Sequence, residues 1–223
     1  MSDSIKTIAI LGGTGDLGGG LARQWSRAGY TIVIGSRTLE KGQEAAAALL
    51  TEFPDLNVTG LDNSAAAEQA DLVVLTVPFA HQLSTLDSVK HALVGKVLID
   101  VTVPLVPPKV GTVQMPASGS AGQQAQDHLG EDVFVVSAFQ NVGAMHLQED
   151  HSIACDVLAT GNKRAARDTV ITLIEALGLK GWHAGPIQNA AAAEALTSIL
   201  ITINRHHKIN GAGLVITGEP AAE

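Results

Sequence analysis

Apolar residues fall into short runs separated by stretches in which they recur every three or four positions. The two patterns alternate along nearly the whole chain. Residues 7–11 form a run that predicts a strand, and residues 16–28, with Leu17, Leu21 and Trp25 on one face, predict a helix. The alternation continues through strand 31–34, helix 38–52, a short strand 58–61 and a short helix 64–69. Strand 71–77, helix 79–93, strand 96–101, helix 119–129 and strand 132–137 follow. Gly29 closes the first helix and Pro78 ends the fourth strand, where Leu72, Val73, Val74 and Leu75 stand in unbroken succession. Such a run marks a strand buried on both faces. Beyond residue 146 the pattern offers a strand near 153–159, a helix over 163–177 and a brief strand over 180–184. A long helix then covers 188–206, favoured by the four alanines at 190–193.

Six strands with intervening helices imply an α/β fold: a doubly wound (Rossmann), mostly parallel sheet over residues 1–145. Residues 146–223 are too few for a second large domain. They imply a small α/β C-terminal domain whose long helix packs across the open side of the crevice. Composition sharpens this picture. Of 223 residues, 46% are hydrophobic and only 3% aromatic, so Ala, Val, Ile and Leu must build the core. That suits a parallel sheet covered by helices on both faces. The formal charge of −8, with no basic run, argues against nucleic acid and against an anionic membrane surface. No apolar stretch reaches the length of a membrane span, and residues 1–4 lack the basic start of a signal peptide. Cys155 is the single cysteine and lies among Ile153, Ala154 and Val157. It reads as a small buried hydrophobe rather than a nucleophile, and the cytoplasm is the default compartment.

The first strand runs into a glycine turn carrying Gly13-x-Gly15-x-x-Gly18, with a helix behind it. Bare backbone N–H groups at a helix N-terminus favour a pyrophosphate, so the context points to a dinucleotide. An NAD site places a carboxylate about 20 residues further on, where it accepts the ribose hydroxyls. Here that position holds Gly35-Ser36-Arg37-Thr38, with Lys41 a turn later. Arg37 offers a planar fork of donors, Ser36 and Thr38 offer hydroxyls, and Lys41 adds a charge, which suits the 2′-phosphate of NADP. A solvated turn with Thr38 as N-cap fits the same residues, and both readings can hold together. Gly19 and Gly20 inside the helix each cost roughly 1 kcal/mol relative to Ala. Close approach of the helix to the sheet or to a ligand would offset that.

In an open α/β sheet the carboxyl edge of the strands lines the ligand crevice. Thr76, Val77, Pro78 and His81 lie at one strand end, Thr102, Val103 and Pro104 at the next, and Ser137 to Val142 at the last. Val77 and Pro78 are expected to wall the nicotinamide. His81 reads equally as a ribose or phosphate contact and as a solvated helix start. The acid–base signatures of alcohol dehydrogenases are missing: there is no Tyr-x-x-x-Lys pair and no spaced Cys or His set for zinc. His206 and His207 are adjacent and diverge on a helix. No catalytic acid or base and no metal site is therefore expected. Hydride exchange between two redox cofactors, where positioning does most of the work, fits such a site.

Taken together, these segments resemble the NADPH-dependent reductases of the deazaflavin F420 (F420H2:NADP oxidoreductases). The resemblance rests on residues 11–18, on Gly35-Ser36-Arg37 with Lys41, and on Leu75-Thr76-Val77-Pro78 with His81. It continues through Val136-Ser137-Ala138, Ala184-Gly185-Pro186 and Glu194-x-Leu196-Thr197, and ends with Asn204, Arg205, Gly211 and Gly213. It implies that Thr14, Gly15, Asp16 and Leu17 hold the pyrophosphate and that Ser36, Arg37 and Lys41 hold the 2′-phosphate. It implies that Pro78 and Ala138 lie against the nicotinamide, with the deazaflavin stacked there under the C-terminal domain. It also implies a homodimer in which hydride passes in either direction. One departure concerns the second pocket: Gln140, followed by Asn141, stands where family members often carry a His. Both can hydrogen-bond a flavin-like ring, but neither carries a proton. Two alternatives use the same NADP(H) site. One is an NADPH-dependent flavin or ferric reductase of the same fold; the other is a regulatory protein that binds NADP(H) without turnover.

Overall fold

The computed structural model describes residues 5–149 and 154–218. Residues 1–4, on which the reading of the N-terminus rested, and Ile153, at the start of the predicted strand 153–159, lie outside them. The sequence-predicted elements form in the predicted order. They are β1 (Thr7–Leu11), α1 (Asp16–Arg27), β2 (Thr31–Ser36), α2 (Leu39–Glu52), β3 (Val58–Asp62), α3 (Asn63–Gln69) and β4 (Leu72–Leu75). Then come α4 (Gln82–Leu93), β5 (Val97–Asp100), α5 (Ala121–Leu129), β6 (Phe134–Ser137), β7 (Asp156–Gly161), α6 (Arg164–Glu175), β8 (Lys180–His183) and α7 (Ala190–His207). The helix predicted over 79–93 opens with a separate 3-10 turn at Phe79–His81.

All eight strands join one sheet in the order β3-β2-β1-β4-β5-β6-β7-β8. The first six run parallel, with the strand order reversing between β1 and β4. The fold is thus the doubly wound α/β arrangement. β7 pairs antiparallel with β6 through Val136↔Gly161 and Ser137↔Thr160, and β8 pairs parallel with β7. The strands after residue 146 therefore extend the sheet.

The inner strands β1, β2, β4, β5 and β6 are buried on both sides, which is why their apolar residues run without alternation; β3, at the sheet edge, is mostly half-buried or exposed. Ile8 and Ile10 face one core with Leu21, Trp25 and Ile34, while Ala9 and Leu11 face the other with Ala66, Leu86 and Leu98. Trp25 anchors the first core: its ring lies edge-on to Phe139 at 5.8 Å and its Nε1 donates to the Leu173 carbonyl at 2.9 Å. Glycines let backbones touch where no side chain fits. α2 lies on β3 through Gly42 and Gly60; a Cβ on Gly60 would stand 2.0 Å from the Gly42 carbonyl oxygen. Gly60→Ala is therefore expected to destabilise the protein by about 3 kcal/mol, read as a drop in the urea midpoint at unchanged slope. Gly20 admits the 3-10 turn Ala144–Gln148, since a Cβ there would meet the Leu147 Cβ at 2.6 Å. That contact offsets the helix cost of Gly20.

Candidate functional site

The carboxyl ends of β1, β2, β3 and β4 open into one crevice, as the strand reversal between β1 and β4 requires. The turn after β1 is held by backbone bonds from Gly12 N to the Gly35 carbonyl at 3.0 Å and from Gly15 N to the Gly12 carbonyl at 3.2 Å. Gly12 takes a positive φ of 75°. The three motif glycines then do different things. A Cβ on Gly13 would press on the Ile10 carbonyl at 2.9 Å, and one on Gly18 would meet both Gly13 Cα and Thr76 Oγ1 at 2.7 Å. These two permit close packing. A Cβ on Gly15 would meet nothing nearer than the Gly12 carbonyl at 3.8 Å, so its surroundings are open. Gly15 is also the N-cap of α1 and brings no side chain to the helix start. The amides of Asp16, Leu17 and Gly18 belong to the first turn, which has no intrahelical acceptors. Helices α2, α3 and α5 differ, being capped by Thr38, Asp62 and Ser120. Thr14 and Asp16 are exposed at the turn, and Leu17 is half-buried.

Beside the turn lies a cleft of about 340 Å³. Ser36 and Arg37 reach it from the end of β2, Asp62 and Asn63 from the β3–α3 junction, and His81 from the start of α4. Hydroxyls of Ser64, Ser84, Thr85 and Ser88 complete the lining. Arg37 is exposed and Ser36 is 7% exposed, so the guanidinium stands in solvent while Ser36 is largely covered. His81 joins Arg37 in this cleft, although 44 positions separate them in the chain. Lys41 stands exposed in the first turn of α2, where its backbone N–H bonds the Thr38 hydroxyl at 3.4 Å, outside the cleft lining. The Asn63 Oδ1 is buried without a hydrogen-bond partner. It lies where a Cβ on Gly35 would come within 2.9 Å. Asp62, Asn63 and the α4 hydroxyls were missed by sequence reasoning.

At the β4 exit, Thr76 donates its hydroxyl to the Leu11 carbonyl at 2.9 Å and so locks β4 against the glycine turn. Val77 packs on Gly12, and Pro78 is exposed. The β6 exit is built differently. Phe139 holds a positive φ of 73°, a strained backbone for a bulky residue, and its ring is turned inward onto Trp25. Ala138 is fully buried. Gln140 donates its amide to the Asp100 carbonyl at 2.9 Å and to Ser137 Oγ at 2.8 Å, leaving its Oε1 buried and unpartnered. Asn141 is 3% exposed and its amide donates to the Asp156 carbonyl at 2.6 Å and to Cys155 Sγ at 3.2 Å. Asn141 thereby ties the β6 exit to the start of β7.

Two carboxyl groups lie under the β5 and β6 exits. Asp100, at the end of β5, is fully buried and accepts from Gln82 Nε2 at 2.6 Å and from Thr102 N at 2.9 Å. Glu194, in α7, is 1% exposed and accepts from Ala121 N at 2.7 Å and from Gly122 N at 2.9 Å. Burial raises the Asp100 carboxyl above its ordinary range despite the hydrogen bonds to Thr102 and Gln82. Burial also pushes Glu194 up to about 8; its two backbone bonds oppose this and the Asp100 charge adds to it. Sequence reasoning used Glu194 only as part of a resemblance and did not single out Asp100.

A family model described as coenzyme F420-dependent NADP oxidoreductase matches residues 7–104. An F420-dependent NADP reductase of Methanothermobacter marburgensis is 40% identical over 221 residues, covering 96% of this chain and 99% of that protein. One from Methanocaldococcus jannaschii is 37% identical over 219 residues, covering 94% and 97%. Among solved structures, a candidate F420-dependent NADP reductase from Arthrobacter sp. FB24 superposes with a TM-score of 0.81 at 27% identity, over 95% of this chain and 99% of that one.

Proposed function

As a member of the coenzyme F420-dependent NADP oxidoreductase family, the chain transfers a hydride between NADP(H) and coenzyme F420, and we propose that it does so in the crevice described above. The observation that carries the placement is the glycine turn. Its one open glycine, Gly15, lies at a helix start without a side-chain cap, beside a cleft furnished with a guanidinium and hydroxyls. The residues fit the dinucleotide. Thr14, Asp16 and Leu17 hold the pyrophosphate through backbone amides, Gly15 leaves room for its approach, and Gly13 and Gly18 shape the turn. Ser36 and Arg37 hold the 2′-phosphate, Lys41 adds its charge from α2, and His81 closes the cleft from the α4 side. The unpartnered Asn63 oxygen is an acceptor awaiting a donor such as a ribose hydroxyl.

Thr76, Val77 and Pro78 wall the redox end, and Ala138 and Gln140 bound it from β6. When bound, the two cofactors supply the hydride donor and the hydride acceptor; a solvent proton balances reduction of the deazaflavin. The chain's own residues orient the rings and keep water away, and among those named none needs to act as acid or base. Asn141 supports this wall from behind through its bonds to Asp156 and Cys155.

The reading includes a homodimer in the cytoplasm. α7 leaves Ile199 47% exposed, and Ile209, Val215 and Ile216 of the following segment are exposed as well. These are apolar groups that a second copy would cover. No helix among the described residues is long and apolar enough to cross a membrane.

The test follows NADPH oxidation at 340 nm with F420, FMN and ferric citrate as separate acceptors. The expected outcome is rapid loss with F420 and at least about tenfold slower loss with the other two. Faster loss with FMN or iron would overturn the acceptor, and NADPH binding without loss would overturn the enzyme.

A further inference from the structure

The cleft beside the glycine turn holds two kinds of polar group. Arg37, from the end of β2, is a donor only, and its planar fork suits phosphate. The β3–α3 junction and the first turns of α4 are furnished the other way. Ser84 Oγ and Thr85 Oγ1 both donate to the His81 carbonyl, at 3.1 and 2.8 Å, and Ser88 Oγ donates to the Thr85 carbonyl at 2.7 Å. A hydroxyl has one hydrogen to give and two lone pairs with which to accept. All three hydrogens are spent on carbonyls of the same segment, so these groups have lone pairs left for a ligand. Asp62 adds a carboxylate. Its Oδ1 accepts from Ala65 N at 3.0 Å and caps α3. Its Oδ2 takes no hydrogen bond among the described residues. The Asn63 Oδ1, buried and unpartnered, is a further acceptor at the same junction. The parallel register pairs Asp62 with Ser36, so the acceptors begin about 5 Å from the strand end that carries Arg37.

We propose that Asp62, with the Ser84, Thr85 and Ser88 oxygens, reads the base of the nucleotide: these acceptors take the hydrogens of the adenine amine and reject a purine that carries a carbonyl oxygen in its place. The inference rests on the reading of this cleft as the adenosine end of the NADP(H) site, and adds to it the choice of base. A phosphate brings no hydrogen to these acceptors, and the 2′-phosphate is common to every purine analogue of NADPH, so Ser36 and Arg37 cannot select among bases. Adenine joined to ribose offers N–H donors at one place, its exocyclic amine. Hypoxanthine sets a carbonyl oxygen there, which brings lone pairs against the Asp62 carboxylate and leaves the hydroxyl oxygens without donors. A site built to form hydrogen bonds turns away an analogue that cannot make them more sharply than an apolar wall does. The N1–H of hypoxanthine, one ring position along, keeps the rejection partial. Asp62 is a specificity-determining residue in this scheme, and no covalent bond changes there.

The test titrates the full-length protein with NADPH and with its deamino analogue, which carries hypoxanthine, and follows the fluorescence of the reduced nicotinamide. The wild-type Kd for the analogue is expected to exceed that for NADPH by about 10- to 30-fold. Asp62→Asn keeps an Oδ1 for the α3 cap and puts an N–H donor in place of Oδ2. It is expected to bring the ratio of the two Kd values within about twofold of unity, or to reverse it. Loss of a negative charge strengthens both nucleotides alike, so the ratio is the readout, and a merely structural role for Asp62 would leave that ratio where it was. A wild-type ratio below about threefold would overturn the proposal, as would an unchanged ratio in Asp62→Asn. If Asp62→Asn does not fold, the double variant Ser84→Ala, Thr85→Val decides: a ratio lowered by about threefold or more supports the proposal, and an unchanged one overturns it. Tight binding of both nucleotides without preference would sink the base reading and leave the dinucleotide site standing; failure of either nucleotide to bind would bring down both.

Discussion

Gly15→Val is expected to abolish measurable binding of both NADPH and NADH, weakening each by at least about 100-fold, in a protein that still folds. The space around Gly15 contains no protein atom closer than 3.8 Å to a would-be Cβ. Its φ of −90° is open to any residue. Exchanging Gly for Val at an N-cap costs the helix only about 1 kcal/mol. A phosphate, however, must come within about 3 Å of the turn's amides, through the volume that an isopropyl group would occupy. Two or three hydrogen bonds to a charged group, at roughly 1.5–3 kcal/mol each, make up the expected loss. Isothermal titration with each nucleotide, with circular dichroism as the folding control, measures it. Affinity within about fivefold of wild type would mean that the turn serves packing alone. A substitution at Gly18 could not make this distinction, because its Cβ would strike Gly13 and Thr76 and disturb the fold itself.

Arg37→Ala is expected to have the second largest effect, and to act on one nucleotide only. Ser36 is buried while Arg37 lines a cleft of hydroxyls, so the guanidinium is the cleft's strongest donor for a dianion. Its removal is expected to raise KM for NADPH by about 50- to 300-fold and to leave KM for NADH within about threefold. Steady-state rates with each nucleotide at saturating acceptor give the ratio. Equal losses for the two would mean that Arg37 contacts something they share, such as the adenine face. Lys41 lies outside the cleft lining, and Lys41→Ala should change selectivity far less than Arg37→Ala.

The parts of the site that could be read from the sequence are those carried by contiguous residues. The turn of Gly13, Gly15 and Gly18 stands between a strand and a helix, and Ser36 and Arg37 follow directly from the second strand. Local order was enough there. Asp62, Asn63, Ser84, Thr85 and Ser88 gave no signal, because only the strand order 3-2-1-4 brings the ends of β3 and β4 to one cleft. Likewise, the apolar run of β7 identified a strand but not its direction. Antiparallel pairing with β6 is settled by tertiary placement, which no periodicity encodes. Asp100 and Glu194 were hidden for a related reason. A carboxylate on a helix reads as solvated unless its partner is known, and the partners of Glu194 lie 72 and 73 positions away.

That separation affects how the chain is made. A ribosome releases α5 well before residue 194 leaves the exit tunnel, so the nascent polypeptide can pair its six parallel strands while Ala121 and Gly122 are still without their carboxylate acceptor. Completion of the acceptor side must wait for the last helix. A polypeptide ended by a premature stop before residue 190 would retain every residue lining the cleft at the ends of β2 and β3 but lack the partners of Ala121 N and Gly122 N, together with the bond from the Thr197 hydroxyl to the Gln140 carbonyl. On the proposed reading it would bind the nucleotide and leave the place of the second ring unfinished.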